Sequence, residues 1–314
     1  MKISFRTLLG TVAAGASLIA LTACGGSSEP AKAEGKTVSI THAQGTTEVP
    51  VNPEKVFTFD LGVLDSMEAL GIEADGVPDA QFPESLAKYK DAKFEKIGSM
   101  KEPNFEDIAA AAPDLIIITG RTAGSYKQFS EDMKIPTVDL SVDASKPMES
   151  FKEQAANLGK IFDAEDKVAT ALTDIDTKAT ETKARASNAG KGLIVLTSGG
   201  EVTAYSAGSR FGLIHDVLGV ATAADVKHDG AHGEAVSFEF IKEKNPDTLY
   251  VVDRDGAMGT AGEAADAVLD NELVNSTNAA KNGKIVKLDA NSWYMVGYGL
   301  NNLPKMIGEV AQAL

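Results

Sequence analysis

Two arginines occupy equivalent positions in an internal repeat, and their spacing points to chemistry. Residues 105–121 align without a gap on residues 238–254, a shift of 133 residues, and six of the 17 aligned pairs are identical: Phe, Glu, Ile, Pro, Asp and Arg. The final pair is Arg121 with Arg254, and each arginine follows an apolar run that predicts a buried strand. Guanidinium groups in such positions favour an anionic ligand. Two solvated surface arginines are the alternative.

The elements around these arginines alternate between strands and helices, which predicts an α/β fold with parallel sheet covered on both faces. Open α/β sheets bind ligands beyond the carboxyl ends of their strands. Two facing lobes, each with an arginine at that edge, predict a cleft between them. The predicted strands are 37–41, 46–49, 56–59, 115–118, 136–140, 193–196, 248–252 and 284–288, and the predicted helices are 62–70, 106–112, 211–218, 238–244, 263–269 and 303–314.

One long helix is predicted between the two halves. Residues 163–188 contain no Gly or Pro, and Val168, Leu172, Ile175 and Ala179 recur at helical spacing. A helix of about 25 residues is about 37 Å long. It divides the chain into an N-terminal lobe at 37–162, a connecting helix at 163–188 and a C-terminal lobe at 189–314. Such a connection restricts hinge bending more than paired extended strands would.

The N-terminus has the pattern of a secretory signal, with Lys2 and Arg6 before a short apolar stretch. It ends in 21–24, Leu-Thr-Ala-Cys, which resembles the lipobox of bacterial lipoproteins. That resemblance implies a signal peptide at 1–23 and acylation of Cys24, with a flexible tether at 24–36. The protein would then be anchored by lipid on the extracellular face of the cell membrane. An ordinary signal peptide with a chance cysteine is the alternative.

Composition excludes several other classes. The 314 residues include 45 acidic and 30 basic side chains, for a net charge of −15, and loss of Lys2 and Arg6 with the signal makes it −17. So acidic a chain disfavours nucleic acid or anionic lipid as the main partner. A single Cys excludes a disulfide framework and Cys-rich metal sites.

The combination of lipobox, tether, two related α/β lobes and one long helix resembles class III substrate-binding proteins of ABC importers. Importers of this kind take up ferric siderophores, haem or cobalamin. Five segments are similar to the branch that binds ferric catecholates, including receptors for petrobactin-like ligands: 205–212, 231–233, 238–247, 251–254 and 293–294. The resemblance implies two Rossmann-like lobes around a ligand cleft, no intrinsic cofactor, a ferric siderophore as ligand, an ABC permease as partner and a monomeric state.

The same resemblance implies roles for five residues. Arg121, Arg210 and Arg254 match the basic residues that line the cleft, and His232 and Tyr294 match residues that can complete the iron shell. Three guanidinium groups suit a trianionic, partly aromatic ferric complex. A phenolate and an imidazole suit the positions that a tetradentate siderophore leaves open. The structural alternatives are a surface His232, a Tyr294 in the core beside Trp293, and an Arg210 paired with Asp216.

Other functions remain as alternatives. An enzyme is disfavoured because the sequence has no Gly-x-Ser-x-Gly elbow, P-loop or His-Glu-x-x-His motif. A hydroxamate siderophore receptor is the strongest rival, since neutral or cationic ferrioxamines use fewer arginines. Haem and cobalamin receptors need few cations, and a receptor for bare zinc or manganese needs converging His and carboxylates. A structural surface lipoprotein would not require the paired arginines.

Overall fold

The computed structural model describes residues 35–227, 232–260 and 264–314. Cys24, the predicted signal peptide and nearly all of the tether lie outside these residues. The strands are β1 (Thr37–His42), β2 (Gly45–Pro50), β3 (Val56–Thr58), β4 (Gly76–Asp79), β5 (Glu95–Ser99), β6 (Leu115–Ile118), β7 (Thr137–Asp139), β8 (Lys191–Ser198), β9 (Glu201–Tyr205), β10 (Ala221–Thr222), β11 (Glu234–Ala235), β12 (Thr248–Asp253) and β13 (Ile285–Leu288).

The α-helices are α1 (Leu61–Leu70), α2 (Phe105–Ala111), α3 (Pro147–Ile161), α4 (Glu165–Ala186), α5 (Phe238–Lys244), α6 (Arg254–Met258), α7 (Ala265–Leu269), α8 (Glu272–Asn275), α9 (Asn278–Lys281) and α10 (Asn302–Ala313). Short 3₁₀ turns cover Glu84–Lys90 and Ala123–Ser125. Single π-helical turns cover Gln128–Asp132, Leu213–Val217 and Asn291–Val296. We call β1–β7 with α1–α3 the N-terminal lobe, and β8–β13 with α5–α10 the C-terminal lobe.

The N-terminal lobe is built on a parallel five-stranded sheet in the order β5-β4-β3-β6-β7, preceded by the antiparallel hairpin of β1 and β2. All four residues of β6 are fully buried, as expected of a central strand covered on both faces. Helix α1 starts where Asp60 accepts the backbone N–H groups of Gly62 and Val63. It ends at Gly71, whose φ of 79° is the left-handed conformation that favours glycine at a C-cap.

The C-terminal lobe has a mixed sheet in the order β11-β9-β8-β12-β13, with β10 also paired to β8. The predicted parallel sheet is present in β8, β12 and β13, and β9 adds an antiparallel strand beside β8. A two-residue turn at Gly199 and Gly200 joins these strands, with φ values of 57° and 81°. Positive φ at both central residues is the twist that a tight hairpin requires.

The sequence repeat is also a structural repeat. Helix α2 and strand β6 correspond to α5 and β12, and the helices end at Ala112 and Asn245 in the same left-handed conformation. In each lobe the repeated aspartate fixes the neighbouring strand: Asp114 accepts the N–H of Lys55, and Asp247 accepts that of Lys191. In both lobes this aspartate comes directly before a buried strand, and one of the repeated arginines follows that strand.

Helix α4 lies between the lobes in sequence and has 22 residues, so it is about 33 Å long and ends slightly inside both predicted bounds. It packs against α3 and α10 through a face that includes Val168, Ile175 and Ala179.

The predicted helix at 211–218 is instead the π-helical turn Leu213–Val217. Among the described residues, no helix has both the length and the apolar character needed to cross a bilayer.

Candidate ligand-binding site

Arg121 reaches the cleft from the N-terminal lobe. It lies three residues beyond β6, where its Nη2 donates a hydrogen bond of 2.9 Å to the backbone O of Tyr294. Its Nη1 lies 3.7 Å from Oδ2 of Asp60. That carboxylate also accepts a 2.8 Å hydrogen bond from the hydroxyl of Thr119, in addition to capping α1. Asp60 therefore joins Arg121 to the start of α1.

Arg254 reaches the same point from the C-terminal lobe, where it is the first residue of α6 after β12. Its Nε donates a 2.9 Å hydrogen bond to the phenolic oxygen of Tyr294, and its Nη1 donates one of 2.9 Å to Oγ of Ser198. Oδ1 of Asp255 lies 3.6 Å from Nη1. Both repeated arginines therefore contact Tyr294.

Arg210 is the third cation at this point. Its Nη2 donates a 3.0 Å hydrogen bond to the backbone O of Tyr294, and its guanidinium lies 4.6 Å from the centre of the Tyr294 ring. Burial lowers the pKa of Arg210, and the charge of Arg121 lowers it further. The predicted alternative pairing with Asp216 does not form, because that carboxylate accepts the N–H of Gly208 instead.

Tyr294 is the centre of this cluster, which we call the arginine cluster (Arg121, Arg210, Arg254 and Tyr294). Burial by itself raises the pKa of the Tyr294 phenol. The hydrogen bond from Arg254 and the charges of the arginines outweigh burial, so the pKa lies below that of an ordinary tyrosine. A phenol so placed gives up its proton more readily, which favours it as an oxygen ligand for a hard cation.

The segment that carries Tyr294 is the π-helical turn Asn291–Val296, a type of turn that is frequent at functional sites. Asn302 closes it, since its side-chain amide donates to the backbone O of Ser292 at 2.9 Å and of Gly297 at 2.8 Å. Trp293 is buried and donates from Nε1 to Glu309 at 2.9 Å. Both aromatic residues of the turn line the cavity, but Trp293 is packed in the core and Tyr294 contacts the arginines.

His232 contributes to the wall of the same cavity. It is exposed and directly precedes Gly233, where a Cβ would overlap the backbone O of Ala204 in β9. The close approach of Gly233 to β9 holds His232 at the edge of the sheet, next to the start of β11. The structure therefore places His232, Arg121, Arg210 and Tyr294 in the lining of one cavity, with Arg254 bonded to the phenol of Tyr294.

The cavity has a volume of about 730 Å³, which is in the range of sites for whole small-molecule ligands. It is lined by residues of both lobes. Sequence reasoning missed Lys101, which lines the N-terminal side. Its backbone N–H donates to Ser99, while its ammonium group has no hydrogen-bond or carboxylate partner among the described residues. Sequence reasoning also missed the apolar wall formed by Val63, Leu140, Val142, Phe151 and Val296.

The remaining histidines lie away from this cavity or outside the described residues. His42 bonds to Thr47 within the N-terminal hairpin, and His215 is buried with Nδ1 at 2.7 Å from the backbone O of Val220. His228 lies outside the described residues. Across residues 35–227, 232–260 and 264–314, no group of three or more His, Cys, Asp or Glu side chains is placed to hold a bare metal ion.

The charges of the cluster are only partly balanced. Asp60 lies near Arg121 and Asp255 near Arg254, while no described carboxylate lies within 4 Å of Arg210. Three guanidinium groups around one tyrosine are therefore arranged to receive negative charge from a ligand. Their planar faces also suit aromatic groups.

Known proteins resemble the chain over nearly its whole length. The petrobactin-binding protein YclQ of Bacillus subtilis is 41% identical over 304 residues, covering 94% of this chain and 95% of that protein. The ferric-anguibactin-binding protein FatB of Vibrio anguillarum is 30% identical and covers 94% of each chain.

Solved structures show the same fold. The crystal structure of YclQ from Bacillus subtilis matches with a TM-score of 0.84 at 42% identity, covering 88% of this chain and 98% of that one. The catecholate-siderophore binding protein VctP of Vibrio cholerae matches with a TM-score of 0.83 at 35% identity, covering 88% and 100%. Residues 56–292 also match the family Peripla_BP_2, described as periplasmic binding proteins. The chain therefore belongs to this family of periplasmic binding proteins.

Proposed function

We propose that this protein binds a ferric siderophore of the catecholate class in the cleft and delivers it to an ABC-type iron importer. The observation that carries the proposal is the convergence of Arg121, Arg210 and Arg254, from both lobes, on Tyr294 beside a cavity of about 730 Å³. The ligand class is supported by the relatives, which are named as binding petrobactin, ferric anguibactin and catecholate siderophores.

The physical basis is charge. A ferric tris-catecholate carries roughly three negative charges on an aromatic body, and the protein as a whole has a net charge of −15. The ligand is repelled at long range unless the cleft reverses the sign locally. Guanidinium groups do this and stack on catechol rings as well, as Arg210 already stacks on Tyr294.

Iron ligation is assigned to Tyr294 and His232. When a siderophore supplies four oxygens, two positions of octahedral iron stay open, and a phenolate and an imidazole nitrogen can fill them. The lowered pKa of Tyr294 supports this role because the phenolate is the ligating form. A hexadentate siderophore would leave both residues uncoordinated.

The N-terminal features complete the proposal. Residues 1–23 act as a signal peptide, and Cys24 carries the lipid that holds a monomer on the extracellular face of the membrane through the tether at 24–36. Two relatives are named as lipoproteins, which supports the anchor. The boundaries 37–162, 163–188 and 189–314 for the two lobes and the connecting helix belong to the same proposal, as does the ABC permease as partner.

A titration panel tests the ligand class. Intrinsic fluorescence of the mature protein should be quenched by ferric catecholates at sub-micromolar concentrations and much less by ferrioxamine, haem, cobalamin or ferric citrate. Equal quenching by ferrioxamine would favour a hydroxamate receptor of the same fold. No response to any catecholate would overturn the proposal.

Two variants test the iron ligands. Tyr294→Phe and His232→Ala should each abolish the protein-dependent change in the visible charge-transfer band of a ferric tetradentate catecholate. They should hardly affect a hexadentate one, whose iron needs no protein ligand. If both complexes respond alike to the variants, the assignment of Tyr294 and His232 is wrong.

A further inference from the structure

Two buried polar side chains lie behind the arginine cluster. Asp65 of α1 and Asn302 of α10 are 2% and 3% exposed, and neither lines the cavity. They belong to different lobes, yet their hydrogen bonds meet in the segment that follows Tyr294. Burial of a carboxylate costs free energy unless hydrogen bonds replace those it made with water, so the partners of Asp65 decide what it does here.

Asp65 binds the C-terminal lobe through its side chain. Its Oδ2 accepts the backbone N–H groups of Asn301 and Asn302, both at 2.8 Å. These N–H groups lie at the start of α10, where no side chain of the helix itself provides a cap. The positive end of a helix dipole stabilises a carboxylate, although burial still raises the pKa of Asp65.

Asn302 extends the connection to the turn that carries Tyr294. Its backbone N–H is held by Asp65, while its side-chain amide bonds to the carbonyls of Ser292 and Gly297 on either side of the Tyr294 position. A continuous path therefore runs from α1 through Asp65 and Asn302 to this turn.

The packing of α1 against the same segment is close. The hydroxyl of Ser66 accepts the N–H of Leu300 at 3.1 Å. A Cβ at Gly62 would overlap the backbone O of Tyr298, and one at Gly299 would overlap the carboxylate of Asp65. The segment thus packs against the N-terminal lobe with no room for a side chain at these two glycines.

We infer that Asp65 and Asn302 are positioning residues that hold the Tyr294 turn against the N-terminal lobe, so that the arginine cluster is assembled before the ligand arrives. Arg121 can bond to the backbone O of Tyr294 only while this turn stays in place. The inference rests on the proposed function, because it describes how the same site is kept ready. A receptor whose binding-competent form is populated for only a fraction of the time loses affinity by that fraction.

Asn302→Leu tests this inference, because leucine has a similar size and donates no hydrogen bonds. Val274→Ala is the control: Val274 is fully buried in α8, outside the cavity lining, so it destabilises the core without touching the turn. The readouts are the affinity for a ferric hexadentate catecholate and the acrylamide quenching of Trp293, the single tryptophan, well below the unfolding temperature.

We expect Asn302→Leu to weaken binding about tenfold or more, as it would if the turn were in place for a tenth of the time. Trp293 should become more accessible to acrylamide. Val274→Ala should change neither quantity, even at an equal loss of melting temperature. Asp65→Leu, which removes the oxygen that accepts both backbone N–H groups, should shift both readouts in the same direction and provides the test if Asn302→Leu fails to fold.

Affinity and quenching like those of Val274→Ala, in either variant, would show that the network serves stability alone and would overturn the inference. If the wild-type protein binds no ferric catecholate, the proposed function fails. The Trp293 comparison still decides whether the two residues position the turn.

Discussion

Replacement of Arg210 should separate binding from stability. This guanidinium is partly buried and lies close to the charge of Arg121, and both effects lower its pKa. A pKa lowered in the folded state means that folding disfavours the charged side chain. Arg210→Met removes the charge while keeping an unbranched apolar stem that can still pack against Phe211 and Tyr294.

The substitution should weaken ligand binding but leave the stability of the protein without ligand nearly unchanged. Loss of a hydrogen bond to a charged group costs about 1.5–3 kcal/mol, so binding of a ferric hexadentate catecholate should weaken about 10- to 150-fold. The free energy of unfolding without ligand should stay within about 1 kcal/mol of the wild type or rise. The lost bond to the backbone O of Tyr294 is offset by relief of desolvation and of repulsion from Arg121.

The assays are denaturant unfolding without ligand and fluorescence titration with the ferric complex. Arg185→Met is the matched control, because Arg185 is exposed in the last turn of α4 and its loss changes the net charge equally. Arg185→Met should bind like the wild type. The reasoning is refuted if Arg210→Met binds within threefold of the wild type, or if it loses more than about 2 kcal/mol of stability without ligand.

Two more predictions concern charge and geometry. Arg254→Lys keeps the charge but cannot reproduce the fork that bonds to Tyr294 and Ser198, so affinity for a ferric catecholate should fall about tenfold in a calorimetric titration; unchanged affinity would show that charge alone matters. The N–H of Lys191 and the side-chain amide of Asn278 hold the pKa of Asp247 below its usual value. The ionised carboxylate therefore stabilises the folded protein above about pH 4, and this contribution is lost as the pH falls through the pKa of the folded state. Asp247→Asn should lower the free energy of unfolding by about 1 kcal/mol at pH 7 and flatten its decline below pH 4, and an acid limb as steep as that of the wild type would contradict this.

Local signals in the sequence predicted much of the fold. The N-terminal hairpin, the end of α1 at Gly71, and the helices and strands of the 133-residue repeat lie within a few residues of their predicted bounds. Family membership and the match to solved structures confirm the α/β fold class and a binding protein rather than an enzyme. Apolar runs, caps and turn residues act over a few positions, so a single sequence carries them.

Two missed elements had signals that were available. Helix α3 begins at Pro147, a residue well suited to the first helical position, and it contains no other proline. Strand β9 follows the dipeptide Gly199-Gly200, which is typical of a two-residue hairpin turn. Helix α3 also carries a helical pattern of apolar residues at Phe151, Ala155, Leu158 and Ile161, so the signal was present and was not used.

The arrangement of the site could be predicted only in part. The repeat pointed to Arg121 and Arg254, and the resemblance added Arg210, His232 and Tyr294, but these roles stay predictions until the variants are measured. The convergence on the backbone O of Tyr294 depends on contacts across 173 and 84 positions of the chain, which no local pattern encodes. Asp65 resembles an ordinary surface acid in the sequence, and its burial follows from the packing of α1 against residues 299–302.

The most direct test of the central claim is a crystal structure of the mature protein with a ferric tetradentate catecholate, measured at the iron absorption edge. We expect one anomalous peak in the cleft, within coordination distance of the phenolic oxygen of Tyr294 and a ring nitrogen of His232. The catecholate oxygens should contact the guanidinium groups of Arg121, Arg210 and Arg254. Iron bound elsewhere, or a catecholate that contacts none of the three arginines, would contradict it.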